Sequence, residues 1–224
     1  MRLGLVCVAG GRGVRFGGDK LAERIGDRTV LEMALAGLSR AFPDAPLVVA
    51  VPERHLDRWR AVLAPAFPAA RLVPGGLRRQ DSVRNGLEAL DGLGVDVAAV
   101  HDGARPIVHP ADVKGVVWAL GDAACSVLCS RAADTIKRVD ADGMVVETLV
   151  RGELRMAQTP QVVRLVAIRR AWAQVDDEDE FTDEASLMEA AGMPVRSVVA
   201  QHPNPKITTA EDLLLVRALV GAER

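Results

Sequence analysis

The 224-residue chain has no tyrosine, and its three tryptophans and four phenylalanines bring aromatic residues to only 3%. Leu, Val and Ala must therefore fill the interior. Cysteine is scarce as well: Cys7, Cys125 and Cys129 stand without a CxxC pair or a Cys/His cluster. An odd, scattered set of this kind argues against a disulfide framework or a zinc site and points to buried, reduced thiols. His55, His101, His109 and His202 show no ligand spacing, and no chemistry is assigned to them. An excess of charge of one sign is also missing, since 28 Lys and Arg stand against 30 Asp and Glu. The molecule has no global field to draw in nucleic acid or an acidic membrane, so any anion must be held by a local cluster. Apolar runs such as residues 47–51 fall far short of the roughly 20 residues that span a bilayer. Met1-Arg2-Leu3 leads into a strand-like segment rather than a signal peptide, and a cytoplasmic protein is expected.

Short β-rich runs alternate with helical patterns. LGLVCVA (3–9), LVVAV (47–51), ARLV (70–73), VDVAAVH (95–101), CSVLCS (125–130) and PVRSVVA (194–200) are continuously or nearly apolar, as suits a sheet covered on both faces. Thr29-Val30-Leu31-Glu32 reads as a capping box, with Leu31, Leu35, Leu38 and Phe42 as the buried stripe before Pro43 stops the helix. Val83, Leu87 and Leu90 form a second stripe, and Val113, Val117 and Leu120 a third. Thr208-Thr209-Ala210-Glu211 reads as another capping box, opening a last helix through Leu215 and Leu219. The expected class is α/β, a doubly wound, mostly parallel sheet in a single domain over residues 1–224. Residues 135–139 and 144–149, around Asp140-Ala141-Asp142-Gly143, break the alternation and read as an inserted β-hairpin arm, about 132–153. A lone hairpin is marginal in water, so this arm is expected to pack on a second subunit.

GGRGVRFGGDK, residues 10–20, places five glycines, two arginines and a lysine directly after the first strand. A glycine turn there lets backbone N–H groups approach phosphate oxygens without Cβ obstruction. A dinucleotide-binding fingerprint anchored at Gly11 and Gly13 would need glycine where Phe16 stands. A Walker A loop begun at Gly13 meets Asp19 where its lysine belongs. What remains is a strand, an A-G-G-x-G-like turn, an Arg-Phe pair and a lysine, a layout that resembles the signature loop of nucleotidyltransferases. In that layout the amides around Ala9, Gly10, Gly11 and Gly13 hold the β- and γ-phosphates of a nucleoside triphosphate, while Arg15 and Lys20 face the phosphoryl group under attack. The competing reading is a glycine turn with solvated basic residues.

Further segments follow in order: RRQDSVRNGL (78–87), VHDGARP (100–106), DTIKR (134–138), QTPQ (158–161), FTDEAS (181–186) and NPKITTAEDL (204–213). Together, from about Leu3 to about Leu219, they closely resemble the 2-C-methyl-D-erythritol 4-phosphate cytidylyltransferases of the non-mevalonate isoprenoid pathway. The resemblance implies a Rossmann-like nucleotidyltransferase fold, a homodimer, and a reaction of CTP with methylerythritol phosphate that needs Mg2+ or another divalent cation. The loop is one residue longer than the family's between Ala9 and Arg15, and shorter from Arg15 to Lys20. Its GGDKL ending is also similar to that of molybdenum cofactor guanylyltransferases, which offer no counterpart for DTIKR, TPQ and TDEAS.

Asp102 and Arg105 end a strand, where open α/β sheets place ligands. A carboxylate beside a triphosphate implies an intervening cation or a hydroxyl donor, so Asp102 is read as both a metal ligand and a substrate contact. Lys206, before a helix N-terminus, is placed to meet a phosphate. By resemblance Gly76, Arg79 and Ser82 line the cytidine pocket with Gly103 near the base, and Thr135 and Arg151 reach from the arm into the partner's acceptor site. Thr159 and Thr182 match the alcohol-phosphate side. The acidic run 176–180 reads as a solvated loop. The expected reaction is in-line attack on the α-phosphorus of CTP, with Arg15, Lys20 and Lys206 as the catalytic cations, small-molecule substrates, and neither nucleic acid nor membrane as partner. Two other readings stay open: a ribitol-5-phosphate cytidylyltransferase, and a non-catalytic nucleotide-binding regulator.

Overall fold

A computed structural model describes residues 1–10 and 16–222 of the chain. It opens with β1 (Leu3–Val8), a short ribbon of β2 (Arg24–Ile25) and β3 (Arg28–Thr29), and α1 (Val30–Ala41). β4 (Leu47–Val51), α2 (Leu56–Leu63), β5 (Arg71–Pro74), α3 (Arg79–Glu88), β6 (Val97–Asp102) and α4 (Pro110–Ala119) continue the alternation. β7 (Cys125–Arg131) leads to the arm strands β8 (Lys137–Val139) and β9 (Val145–Thr148). β10 (Arg155–Arg164), α5 (Leu165–Trp172), α6 (Glu184–Ala190), β11 (Val195–Val199) and α7 (Ala210–Ala222) follow.

Seven strands form one sheet in the order β11-β7-β10-β6-β1-β4-β5. Every neighbouring pair is parallel except those of β10, which runs antiparallel to both β6 and β7. Because successive side chains alternate across a strand, the apolar runs feed two cores. Leu5, Cys7, Val49 and Val97 meet α1, α2, α4 and α7 on one face. Val6, Val8, Val48 and Ala98 meet α3, α5 and α6 on the other. This is the doubly wound, mostly parallel sheet expected of the sequence.

The first capping box forms as read: Thr29 accepts from the Glu32 N–H at 3.2 Å, and Glu32 accepts from the Thr29 N–H at 2.7 Å. The last one is displaced by one residue. Asp212, not Glu211, accepts from the Thr209 N–H at 2.9 Å and returns its own N–H to the Thr209 hydroxyl. The buried stripe of α7 accordingly holds Leu213 and Val216, and Leu215 is exposed. The three cysteines are buried and unbridged, and burial, reinforced by Asp102, pushes the Cys7 thiol far above its ordinary range. The acidic run is exposed but tied to α3 through its backbone. Arg78 donates to the Asp177 carbonyl at 2.7 Å, and the Gln80 amide donates to the Asp179 carbonyl at 2.9 Å while accepting from the Phe181 N–H at 2.8 Å.

Candidate active site

The carboxyl ends of β1, β4, β5 and β6 share one edge of the sheet, and their turns are stitched together there. Ala9 N–H donates to the Ala50 carbonyl at 2.7 Å, Gly75 N–H to Val51 at 2.7 Å, and Gly103 N–H to Val8 at 2.9 Å. This is the edge at which open α/β sheets bind ligands. Ser82, near the start of α3, lies under the glycine turns: its hydroxyl accepts from the Gly76 N–H at 3.0 Å and donates to the Arg78 carbonyl at 3.3 Å. A Cβ on Gly10 would stand 2.9 Å from the Ser82 Oγ, and one on Gly76 would stand 2.2 Å from the Asp81 Cβ. Gly76 cannot carry a side chain without moving the start of α3, whereas one on Gly10 would displace the Ser82 hydroxyl. Gly103 sits over Leu31, Cys7 and Ala9. Gly11, Gly13 and Arg15, named from the loop pattern, lie outside the described residues.

Asp102 is the centre of the charged cluster. Its Oδ1 accepts from Arg79 Nε at 3.0 Å and its Oδ2 from Lys206 Nζ at 2.6 Å. Arg79 turns its other end to Glu184, donating from Nη1 at 2.7 Å and Nη2 at 3.1 Å. Burial alone would push the Asp102 carboxyl up, but the charges of Arg79 and Lys206 and their hydrogen bonds outweigh it and hold it well below the usual carboxylate range. Burial likewise opposes the charge on Arg79, and Glu184 and Asp102 outweigh it and hold the guanidinium firmly protonated.

The backbone of Asp102 is fixed from below. Its N–H donates to the Thr159 Oγ1 at 3.1 Å, that hydroxyl meets His101 Nδ1 at 3.0 Å, and His101 Nε2 meets the Arg105 carbonyl at 3.0 Å. A carbonyl only accepts, so Nε2 carries the proton and Nδ1 accepts from Thr159. Complete burial pushes the His101 imidazole down to about 4, which keeps this neutral tautomer in place. Thr159 reaches the network through a bulge: β10 takes four steps from Ala157 to Gln161 while β7 takes two from Cys129 to Val127. Bulges commonly re-aim side chains beside functional sites.

Residues from the two ends of the chain also meet here. Arg105 Nη1 donates to the Asn204 carbonyl at 2.7 Å, and Ile207 N–H donates to the Ala104 carbonyl at 2.8 Å, so residues 204–207 are clamped along the turn after β6. Ile207 is fully buried, which leaves the neighbouring Lys206 pointing to Asp102. Lys20 Nζ donates to the Ile207 carbonyl at 2.7 Å across 187 positions of sequence. Lys20, Arg79, Asp102, Arg105, Thr159 and Lys206 thus form one assembly. Thr182 is exposed two residues before Glu184. Thr135 and Arg151 belong to the arm; Arg151 donates to the Ala133 carbonyl at 2.8 Å and borders a cleft of about 330 Å³ with Arg131 and Arg155. Among the described residues, no hydrogen bond or ion pair links either of them to Asp102.

Asp102 was expected to hold a divalent cation, but two cationic side chains already occupy its oxygens. Among the described residues no group of three or more His, Cys, Asp or Glu could hold a metal. Magnesium keeps its waters and binds through few carboxylates together with substrate phosphates, so these residues do not fit a resident ion. Glu184, His101 and Asn204 escaped the sequence reading. The FTDEAS motif carried a signal for Glu184, and a histidine at the end of an apolar strand carried one for His101.

The chain's residues 3–222 match the family model described as IspD: 2-C-methyl-D-erythritol 4-phosphate cytidylyltransferase. A bifunctional enzyme IspD/IspF of Rhodospirillum rubrum is 41% identical over 99% of this chain, which spans 58% of that relative's length. A 2-C-methyl-D-erythritol 4-phosphate cytidylyltransferase of Pelotomaculum thermopropionicum is 36% identical over the whole chain and 96% of its own length. The solved 4-diphosphocytidyl-2C-methyl-D-erythritol synthase of Anaerococcus prevotii superposes with a TM-score of 0.86 at 26% identity, covering 98% of both chains. The chain belongs to the 2-C-methyl-D-erythritol 4-phosphate cytidylyltransferase family.

Proposed function

We propose that the protein transfers the cytidylyl group of CTP to 2-C-methyl-D-erythritol 4-phosphate, giving 4-diphosphocytidyl-2-C-methyl-D-erythritol and pyrophosphate in isoprenoid precursor synthesis. The carrying observation is the meeting of Lys20 with the Lys206–Ile207 backbone beside Asp102 and Arg79. A phosphate oxygen of the acceptor attacks the α-phosphorus; the new O–P bond forms as the bond to the β-phosphate oxygen breaks, and pyrophosphate leaves with that electron pair. The acceptor phosphate is already anionic at neutral pH, so no general base is required. The obstacle is bringing two anions together. Two unit charges about 4 Å apart interact by about 1 kcal/mol in water but about 4 kcal/mol at an effective dielectric near 20, so half-buried cations dominate the rate. Lys20, Lys206 and Arg15 supply that charge. Lys206 has three N–H donors and can keep Asp102 while meeting a phosphate. Magnesium enters with CTP as part of the substrate.

Gly10, Gly11 and Gly13 present backbone donors to the triphosphate, and Ala9, whose N–H is held by the Ala50 carbonyl, fixes the start of that loop; Gly76, Arg79, Ser82 and Gly103 line the cytidine side, and Asp102, Arg105, Thr159 and Thr182 the acceptor side. Thr135 and Arg151 come from the arm of a second copy. The arm's exposed Val139, Met144, Val145, Val146 and Val150 support its packing on such a copy. Among the described residues no helix is long and apolar enough to cross a membrane, in keeping with action in the cytoplasm.

Pyrophosphate release is measured with four nucleoside triphosphates and two acceptors, methylerythritol phosphate and ribitol 5-phosphate. CTP with methylerythritol phosphate is expected to be fastest; a preference for ribitol 5-phosphate, or CTP binding without turnover, would reject the assignment. By comparison with loss of one oxyanion-hole donor, Lys20→Ala is expected to lower kcat about 10²-fold, roughly 3 kcal/mol. Wild-type kcat in that variant at saturating substrates would remove Lys20 from the mechanism.

A further inference from the structure

Glu184 and Arg79 lie 105 positions apart and meet in a bidentate pair. Glu184 opens α6, a helix of seven residues whose start is capped without it: the Asp183 carboxylate accepts from the Ser186 N–H at 2.9 Å. Gln161 on β10 fixes the residues on either side, its amide donating to Asp183 Oδ2 at 2.8 Å and accepting from the Ala185 N–H at 2.9 Å. The backbone of Glu184 is therefore anchored to an interior strand of the sheet. Its side chain, 3% exposed, is aimed at Arg79. A planar guanidinium gripped at both Nη atoms has its Nε–H direction fixed, and here that N–H falls on Asp102 at 3.0 Å. Buried ion pairs are often no better for stability than well-packed apolar residues of similar volume. Packing alone gives no reason for charge at this place, whereas aiming Arg79 does.

We propose that Glu184 is a positioning residue, holding the end of Arg79 so that its Nε edge stays on Asp102 and, through Asp102, setting the place of Lys206. The inference rests on the cytidylyl-transfer reading, in which Asp102 and Lys206 face the reacting molecules. Removal of Glu184 lets the guanidinium turn, and Asp102 and Lys206 lose their register against the phosphates.

Glu184→Gln keeps the size and removes the charge, and Arg79→Met removes the partner. In the full-length protein, kcat/KM for pyrophosphate release from CTP at saturating methylerythritol phosphate is expected to fall roughly 10- to 100-fold in Glu184→Gln. The same change added to Arg79→Met is expected to cost less than about threefold, because residues acting as a unit are not additive. Equal losses in the two backgrounds, which a general structural role would produce, overturn the proposal. A crystal structure of Glu184→Gln grown without substrates reads the aim of Arg79 directly. Nε leaving Asp102 by more than about 3.5 Å supports the proposal, and Nε unmoved rejects it. If Glu184→Gln does not fold, Glu184→Asp, charged but one methylene short, goes through the same measurements. A wild-type protein that releases no pyrophosphate with either acceptor would reject the functional reading, and the crystal structure would still decide the role of Glu184.

Discussion

His101 touches no solvent, yet it decides how Asp102 is held. Its two ring nitrogens are committed in opposite senses, donating to the Arg105 carbonyl and accepting from Thr159. The arrangement suits only the neutral ring. In the unfolded chain the imidazole takes its ordinary value of 6.5, against about 4 when buried. Between those values the unfolded chain binds more protons than the folded one, so stability is fully present above pH 6.5 and is lost as pH falls toward 4. The shift corresponds to roughly 3 kcal/mol, using about 1.4 kcal/mol per pH unit. Urea unfolding from pH 7 to 4 is expected to follow that fall, and the His101 ring signal in NMR should stay neutral down to pH 5. Titration of the folded ring near 6.5 would contradict it. The Asp102 carboxyl, held low, adds its loss as pH falls through the ordinary carboxylate value and on below it, after most of the histidine loss is complete. Of this network the sequence displayed Asp102, Arg105 and Thr159 within quotable motifs. His101 and Glu184 stand in the same motifs, VHDGARP and FTDEAS, but nothing in a local pattern states that either is buried against a partner 58 or 105 positions away.

At the level of elements, apolar periodicity was a sound guide to the parallel strands and to α1, and a poor one to β10. RMAQTPQVVR has no clean alternation, and a proline usually demotes a strand to an edge. Here Pro160 is accommodated because it lies in the bulge, between the Ala157 and Gln161 pairings with β7. The β2/β3 ribbon, with two residues in each strand, is too short for any period to reveal. Helix α1 carries a glycine that propensity alone would replace. A Cβ on Gly37 would lie 2.4 Å from the Val108 Cβ and 2.7 Å from its carbonyl oxygen. Gly37→Ala gains about 1 kcal/mol of helix propensity, but overpacking costs about 1–3 kcal/mol, and backbone in the contact favours the high end. A lower urea midpoint is expected. A higher one would mean that residues 105–109 yield to the methyl group.

Across the whole molecule, the doubly wound sheet and the arm were both readable from the sequence, but the meeting of the two chain ends was readable only through the family pattern. Lys20 and Lys206 carry no local sign that they are neighbours. They are joined because β1 and β6 pair directly, so the turns after them share one edge, and residues 204–207 are bonded to the second of those turns. The arm departs from the sheet after Arg131 and returns before Arg155, and these two residues face each other across the β7/β10 pairing. Replacing residues 132–154 with a short turn is therefore expected to keep cooperative unfolding and the far-ultraviolet spectrum. On the proposed pairing of two copies through the arm, the same change is expected to shift sedimentation from two copies to one and to abolish pyrophosphate release. An armless protein that still sediments as a pair would put the contact elsewhere. Since the detour begins and ends at facing positions, it behaves as a graft on a closed framework: its length and composition can drift without disturbing the trunk, and the companionship between copies proposed above can be tuned apart from folding.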